Sequence, residues 1–213
     1  MRSHPNHPPS SRHLDAVFAT GSHVAVLRYL CLTGGAHTGR AIGRAVGLSH
    51  HVVHRALGPL ATLGMLDAER QGRSIVYRLN ESHWLVRAGL RPLFAAEADG
   101  HTRLGEVVRR AAGVPVHSVI LFGSEARGEA RAGSDLDVVC LTKTKSGQTR
   151  AGVEARLATA AGEIHRQFGR RVSVLVWSAR EFVRRYRARD PLVREIVETG
   201  WVIAGASLSE VVR

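Results

Sequence analysis

The spacing of apolar residues changes several times along the chain, and each change predicts an element. Met1 to His13 is rich in Pro, Ser and His, with almost nothing to bury, and is expected to be a disordered tail. From Val17 to Leu32, the positions Val24, Leu27, Leu30 and Cys31 recur on one side, which predicts a helix ended by Gly34-Gly35. Thr38 can cap a short second helix with Ile42, Ala45 and Val46 inward and Arg40 and Arg44 outward. Gly47-Leu48 then turns the chain. Ser49 can cap a third helix with Val52, Val53, Ala56, Leu57, Leu60 and Leu63 inward, leaving His50, His51, His54 and Arg55 outside. Pro59 should kink this helix because it removes a backbone donor. Leu66 to Arg70 and Ile75 to Leu79 read as two strands around Gln71-Gly72-Arg73-Ser74, a hairpin.

Helical spacing resumes over residues 81–112. Leu85, Val86, Leu90, Leu93 and Phe94 form one apolar set, and Leu104, Val107, Val108 and Ala111 form another. A β-branched run, Val116 to Phe122, then stops abruptly at Gly123-Ser124. A second run ends at Leu141 and has Asp135-Leu136-Asp137 set into its start. A polar loop from Lys143 to Thr149 leads to an Ala-rich helix, Arg150 to Phe168. Arg171 to Trp177 follows as a third strand, and Ala179 to Arg189 as a basic helix. Pro191 can open a last helix, and Val197 with Trp201 to Ile203 completes the domain.

Composition narrows the classes. The chain has 213 residues, room for two small domains, and a net charge of +12 carried almost wholly by Arg. A guanidinium fork suits phosphates and base edges, so a polyanionic partner is expected. Cys31 and Cys140 lie in apolar runs and read as buried free thiols. No apolar run approaches membrane-spanning length, and the N-terminus lacks the apolar core of a signal peptide. No membrane association and a cytoplasmic location are expected.

The sharpest chemistry is the acidic pair. Side chains at i and i+2 of a strand face one side, so Asp135 and Asp137 share a face while Leu136, Val138 and Cys140 take the other. Two adjacent carboxylates repel, and a divalent cation relieves this; hard oxygen ligands suit Mg²⁺. Gly123 allows a phosphate close to the backbone, and Ser124 with the amides of the following helix can hold it. The run Gly-Ser-x-Ala-x-Gly-x-Ala-x-x-x-Ser-Asp-x-Asp from Gly123 to Asp137 resembles the signature of the polymerase-β-type minimal nucleotidyltransferases of bacteria and archaea. The resemblance implies nucleotidyl transfer from an NTP to a hydroxyl, with Asp135 and Asp137 as catalytic metal ligands. The nucleotide-binding candidates are Gly123, Ser124, Arg127 and Ser134.

Helix, helix, turn, helix and a two-stranded wing is the order of a winged helix-turn-helix. Residues 22–80 resemble the winged-helix domains of small bacterial transcription regulators. The cues are Ala-Ile-Gly-Arg-Ala-Val-Gly-Leu-Ser (41–49), then Leu-x-x-Leu-x-x-x-Gly-Met-Leu (57–66) leading into the wing. The resemblance implies duplex DNA as partner. The DNA-binding candidates are Arg40, Arg44, Ser49, His50, His51, His54, Arg55 and Arg73. A homodimer through residues 81–100 or the first helix is expected, because such regulators commonly read two half-sites.

One position departs from the transferase pattern. The family places a third Asp on the third strand, usually as Val-Asp-Leu-Val, where it ligates metal and helps deprotonate the attacking hydroxyl. Here the run is Val172-Ser173-Val174-Leu175, and a serine carries no charge. Glu163 and Glu181 are the candidates to compensate. Two functions therefore stay open. One is a DNA-binding nucleotidyltransferase using NTP-Mg²⁺ on a protein, nucleic-acid or small-molecule hydroxyl. The other is a transcription regulator whose impaired transferase-like domain senses nucleotide or binds a partner such as a HEPN-type toxin, a pairing implied by the resemblance alone. The expected fold is α/β (α+β). It comprises a tail (1–13), a winged helix-turn-helix (14–80), connecting helices (81–112), a βαβαβ nucleotidyltransferase-like domain (113–205) and a C-terminal tail (206–213).

Overall fold

The computed structural model describes residues 13–131, 133–143 and 150–212. The expected tail at 1–12 and the expected polar loop at 144–149 lie outside the described residues. Contacts divide the chain into two compact units at Ala98/Asp99. The expected connecting helices at 81–112 are thus shared between the units, because each half buries its apolar set in its own core.

The first unit opens with α1 (His13–Val17) and α2 (Gly21–Thr33). The expected single helix is interrupted at Phe18–Thr20, where the Thr20 hydroxyl accepts from the His23 amide and starts α2 afresh. Strand β1 (His37–Thr38) precedes α3 (Gly39–Val46). Thr38 caps α3 through a bond from the Ala41 amide, 3.2 Å. Gly47 closes α3 with φ 69°, a left-handed conformation that a side chain would strain. α4 (His50–Thr62) begins at the Ser49 cap and runs without a break through Pro59. β2 (Leu66–Gln71) and β3 (Ser74–Leu79) form the wing, and β1 adds to it as a third strand, order β1-β3-β2.

A π-helical turn, Val86–Leu90, leads into α5 (Arg91–Ala98). Leu85, Val86, Leu90 and Phe94 are buried in the core of their own unit, with Leu27, Leu30, Leu57 and Leu60. Full burial of such a side chain contributes about 1.5–3 kcal/mol. Four of the five residues expected at a dimer contact are therefore used internally; Leu93 is exposed, as are Trp84, Leu14 and Leu32.

The second unit is a four-stranded sheet of order β6-β5-β4-β7, covered on both faces. Its elements are α6 (Gly100–Ala112), β4 (Val116–Phe122), α7 (Gly123–Ala126), β5 (Leu136–Thr142), α8 (Arg150–Phe168), β6 (Val172–Ser178), α9 (Ala179–Arg187), α10 (Pro191–Thr199), β7 (Trp201–Gly205) and α11 (Leu208–Val211). β4 and β5 are antiparallel, because a one-turn helix is too short for a crossover. β5 and β6, joined through α8, are parallel, the one βαβ unit among the described residues. β7 pairs antiparallel with β4, a fourth strand beyond the expected three. The expected C-terminal tail carries α11, held by a Ser207–Glu210 capping box and a buried Val211.

Alternation sorts the two faces. Val119, Leu121, Leu136, Val138, Cys140 and Val176 pack with Leu104, Val108, Val153 and Leu157 of α6 and α8. Ile120, Phe122, Val139, Leu141 and Trp177 pack with Phe182, Val193 and Ile196 of α9 and α10. The face opposite Leu136 and Val138, which carries Asp137, is thus the one that α9 and α10 cover. Burial pushes the Cys31 and Cys140 thiols up to about 11, so both stay protonated and unreactive. Among the described residues, no helix is long and apolar enough to cross a membrane.

Candidate functional site

The acidic pair sits where β5 begins. Asp135 is exposed and precedes the strand by one residue; Asp137 is half-buried on it. Asp137 pairs across the sheet with Phe122, so the next residue, Gly123, lies against its carboxylate. A Cβ on Gly123 would stand 2.6 Å from Asp137 Oδ2, and Gly123 has φ 74°. Only glycine satisfies both the close approach and the backbone conformation. The motif glycine, expected to make room for a phosphate, here makes room for the Asp137 carboxylate.

Burial raises the pKa of Asp137. The charges of Asp135 and Glu195 raise it further, against the opposing pull of Arg127. Glu195 stands on α10, which packs on β4 and α7. This third carboxylate was not anticipated, since no spacing in the chain ties residue 195 to residue 137. Arg127 links the group: Nε donates to Glu129 at 2.8 Å and Nη1 donates to Glu195. The expected nucleotide-binding arginine is therefore already ion-paired twice.

The loop between Gly123 and Asp135 is fastened by a second unanticipated pair. Arg170 donates from Nε to the Ser134 carbonyl at 2.8 Å and from Nη1 to Glu125 at 2.6 Å. His101 Nε2 lies 3.2 Å from the other Glu125 oxygen. Burial disfavours the ionised form of Glu125, but Arg170 and His101 together hold its pKa below the usual range. The Ser134 hydroxyl accepts from the Arg131 amide at 3.0 Å, which leaves its own proton free to donate. Ser124 is half-buried at the start of α7. That helix is only four residues long, so Ser124 and the local amides, rather than a helix dipole, are what the loop offers an anion.

The register of β5 and β6 pairs Asp137 with Ser173. An exposed serine thus occupies the neighbouring-strand position, and the two suggested substitutes are engaged elsewhere. Glu163 bonds Arg166 and Gln167 on α8, and Glu181 bonds Arg185 on α9. Among the described residues, no group of three or more His, Cys, Asp or Glu side chains is arranged to hold a metal. Two carboxylates still fit Mg²⁺, which commonly takes one or two protein carboxylates and completes its shell with substrate phosphates.

In the first unit, Thr38, Arg40, Gly43, Arg44, Leu48 and His50 line one depression, and Arg40, His50, His54 and Arg73 share a second with Ile75 and Tyr77. The structure thus brings Arg40, Arg44, His50, His54 and the wing residue Arg73 together. His51 and Arg55 are exposed on the first two turns of α4. Val52, expected inward, is exposed beside them. Arg28 and Arg78 are paired with Glu97 and Asp67. Arg40, Arg44, Arg55 and Arg73 have no carboxylate partner among the described residues.

Residues 103–200 match the model of the nucleotidyltransferase domain family. No curated protein matches the chain. Solved structures with similar folds include reduced HlyU from Vibrio cholerae, at 20% identity over 38% of this chain and 79% of that one, TM-score 0.33. The homodimeric winged helix-turn-helix DNA-binding domain Mb0332 from Mycobacterium bovis is 26% identical over 47% of this chain and 93% of that one, TM-score 0.33. A toxin–antitoxin structure with AMP-PNP is 17% identical over 53% and 77%, TM-score 0.37.

The strain on Asp137 has a measurable sign. Its folded pKa is raised, so the native protein holds this proton more tightly than the unfolded chain. The stabilisation is present at low pH and lost as pH rises through the folded value. In metal-free buffer, Asp137→Asn is expected to raise the melting temperature by roughly 1–3 °C at neutral pH, and the difference should vanish in acid. Calorimetric melts across that range check it. A variant that melts lower at neutral pH would show that Arg127 outweighs the neighbouring carboxylates.

Proposed function

We propose that the second unit, whose residues 103–200 match the nucleotidyltransferase domain family, binds a nucleoside triphosphate with Mg²⁺ and transfers its nucleotidyl group to a hydroxyl, while the winged helix-turn-helix binds duplex DNA. The observation that supports the reading is the bare Gly123 backbone packed on Asp137, which brings the Gly123-Ser124 loop directly beside a carboxylate whose pKa is raised by burial and by the neighbouring Asp135 and Glu195. Asp135 and Asp137 would hold the ion, which would supply positive charge to the phosphates and the leaving pyrophosphate. Ser124 and Ser134 offer hydroxyl protons to phosphate oxygens. The acceptor oxygen bonds to the α-phosphorus, the bond to pyrophosphate breaks, and the acceptor's proton passes to a base.

Ser173 is a poor base, and that position favours a second reading: a regulator that binds nucleotide, or a partner such as a HEPN-type toxin, with little turnover. Calorimetry with Mg²⁺ and NTP should show binding that a chelator abolishes and that Asp135→Ala/Asp137→Ala lacks; equal affinity in that variant would remove the assignment. Transfer should be weak in the wild type, and Ser173→Asp should raise it by about 10²–10⁴-fold, the usual contribution of a general base. Radiolabelled NTP incubated with cell lysate measures this. A vigorous wild type that the substitution does not improve would assign the base to another group, with Glu195 the first to test.

For the DNA unit, Arg55, exposed on the first two turns of α4, is placed for a base edge, and Arg73 on the wing for phosphate. Arg55→Ala should relax preference at one base position by about 1–3 kcal/mol. Arg73→Ala should weaken all sequences alike and reduce the salt slope by about one contact. Gel shifts at several salt concentrations separate the two. Binding indifferent to both changes would make the winged helix a protein-contact module.

A homodimer remains part of the proposal, now through exposed Trp84 and Leu93 rather than the buried run beside them. Light scattering should report twice the chain mass at micromolar concentration, reduced to one by Trp84→Glu/Leu93→Glu. A monomeric wild type would dispose of the idea.

A further inference from the structure

α9 carries a basic face that the proposed chemistry does not use. Arg180, Arg184 and Arg187 are exposed and follow i, i+4, i+7 spacing, so they form one stripe. With Ala179 and Val183 they line a shallow depression of about 420 Å³. On other helices of this unit several exposed arginines pair with a glutamate one turn away, Arg109 with Glu106, Arg150 with Glu154 and Arg166 with Glu163, although Arg103 and Arg110 on α6 do not. The stripe on α9 has no such partner among the described residues, and the reason is specific. The two acids within reach, Glu181 and Asp190, are both taken by Arg185, whose guanidinium lies 4.8 Å from the Trp177 ring centroid on the inner side of the helix. Three like charges are thus stacked along about two turns, and Arg180 stands in the first turn, where the helix dipole opposes a cation. Such an arrangement is unfavourable in isolation and favourable against a chain of negative charges.

The surroundings narrow the partner. Tyr186 is 38% exposed and lies one turn from Val183, on the side of that residue away from the stripe. A basic track with an exposed aromatic beside it is how proteins hold a single strand, phosphates on the cations and a base on the ring. The guanidiniums advance about 6 Å and then about 4.5 Å along the helix axis, which suits consecutive phosphates rather than one compact anion. α9 packs on the face of β5 and β6 that bears Asp137 and Ser173, so a strand on its outer surface lies on the carboxylate side of the sheet.

We propose that the outer face of α9, through Arg180, Arg184, Arg187 and Tyr186, is a binding track for a single-stranded nucleic acid. The track needs no transfer chemistry, so it stands or falls separately from the nucleotidyl reading and from duplex binding by the first unit.

The test uses the full chain, fluorescence anisotropy and a labelled oligo(U) RNA, with a labelled DNA duplex in parallel. Arg180→Gln/Arg184→Gln/Arg187→Gln should weaken RNA binding at least about tenfold and flatten the slope of log K against log salt by about 2, three single-strand contacts' worth. Its duplex affinity should be unchanged. The corresponding triple Lys variant should keep most of the slope, and Tyr186→Ala should weaken RNA without changing the slope. If the triple Gln variant does not melt cooperatively, Arg184→Gln alone carries the test, with a slope change of about 0.7. RNA binding by the Gln variant equal to wild type overturns the proposal, as does loss of RNA binding from Arg55→Ala/Arg73→Ala alone. Poly-glutamate competing as well as the RNA would assign the face to acidic proteins and overturn it too.

Discussion

Repulsion between carboxylates governs the end of the C-terminal sheet. Asp137 is partly withdrawn from water, which raises its pKa, and the nearby charges of Asp135 and Glu195 raise it further. A fold tolerates this only with counter-charge or with function. Arg127 supplies part of the counter-charge, yet it also serves Glu129 and Glu195, so it offsets the group without cancelling it. The remaining deficit is the physical reason the site fits a divalent cation carrying its own phosphate ligands. The glycine that lets the loop touch Asp137 and the Arg170–Glu125 pair that fastens the same loop are both means of keeping this unfavourable arrangement in place.

The abundance of arginine takes on meaning only after the ion pairs are assigned. Much of the charge is structural: Arg28, Arg78, Arg91, Arg109, Arg150 and Arg166 each face a carboxylate. Most of these pairs are exposed and contribute little individually. The arginines outside such pairs include Arg40, Arg44, Arg55 and Arg73 on α3, α4 and the wing, and in the second unit Arg103 and Arg110 on α6 as well as Arg180, Arg184 and Arg187 on α9. Net charge predicts a polyanionic partner; the pattern of pairing narrows the surfaces on which to test it.

Local signals were legible in the sequence and tertiary ones were not. Thr38 and Ser49 could be read as caps because a cap depends on three neighbouring residues, and both act as caps here. The hairpin around Gly72 is likewise short-range, whereas Asp135, expected on the strand face with Asp137, stands one residue before β5. Periodicity identifies Leu85, Val86, Leu90 and Phe94 as an apolar face without saying whether another chain or the wing covers it; they share a core with Tyr77 and Leu79 of the wing. Val52 was placed inward by the same ambiguity, one residue from the buried Val53. Glu195 and Arg170 could not be found at all: their roles depend on α10 and the β6 entry converging on residues 36 to 68 positions away, and nothing in their own neighbourhood marks them. Ser173 is the intermediate case. Its position on the strand was readable, but only the parallel register of β5 and β6 sets it beside Asp137.

That register separates two properties that a complete acidic triad would join. Holding a nucleotide through Mg²⁺ needs charge, and Asp135 with Asp137 provides it. Removing a proton from an acceptor hydroxyl needs a base aligned with the phosphorus, and the strand position beside Asp137 offers a hydroxyl instead. β6 is an edge strand and Ser173 is exposed, so a carboxylate there would meet no steric obstacle from a further strand. The serine is therefore not a packing compromise. Under the second reading of the function, such a site would retain nucleotide longer than it turns it over, which is the behaviour required of a domain whose state is to be read by DNA binding or by a partner.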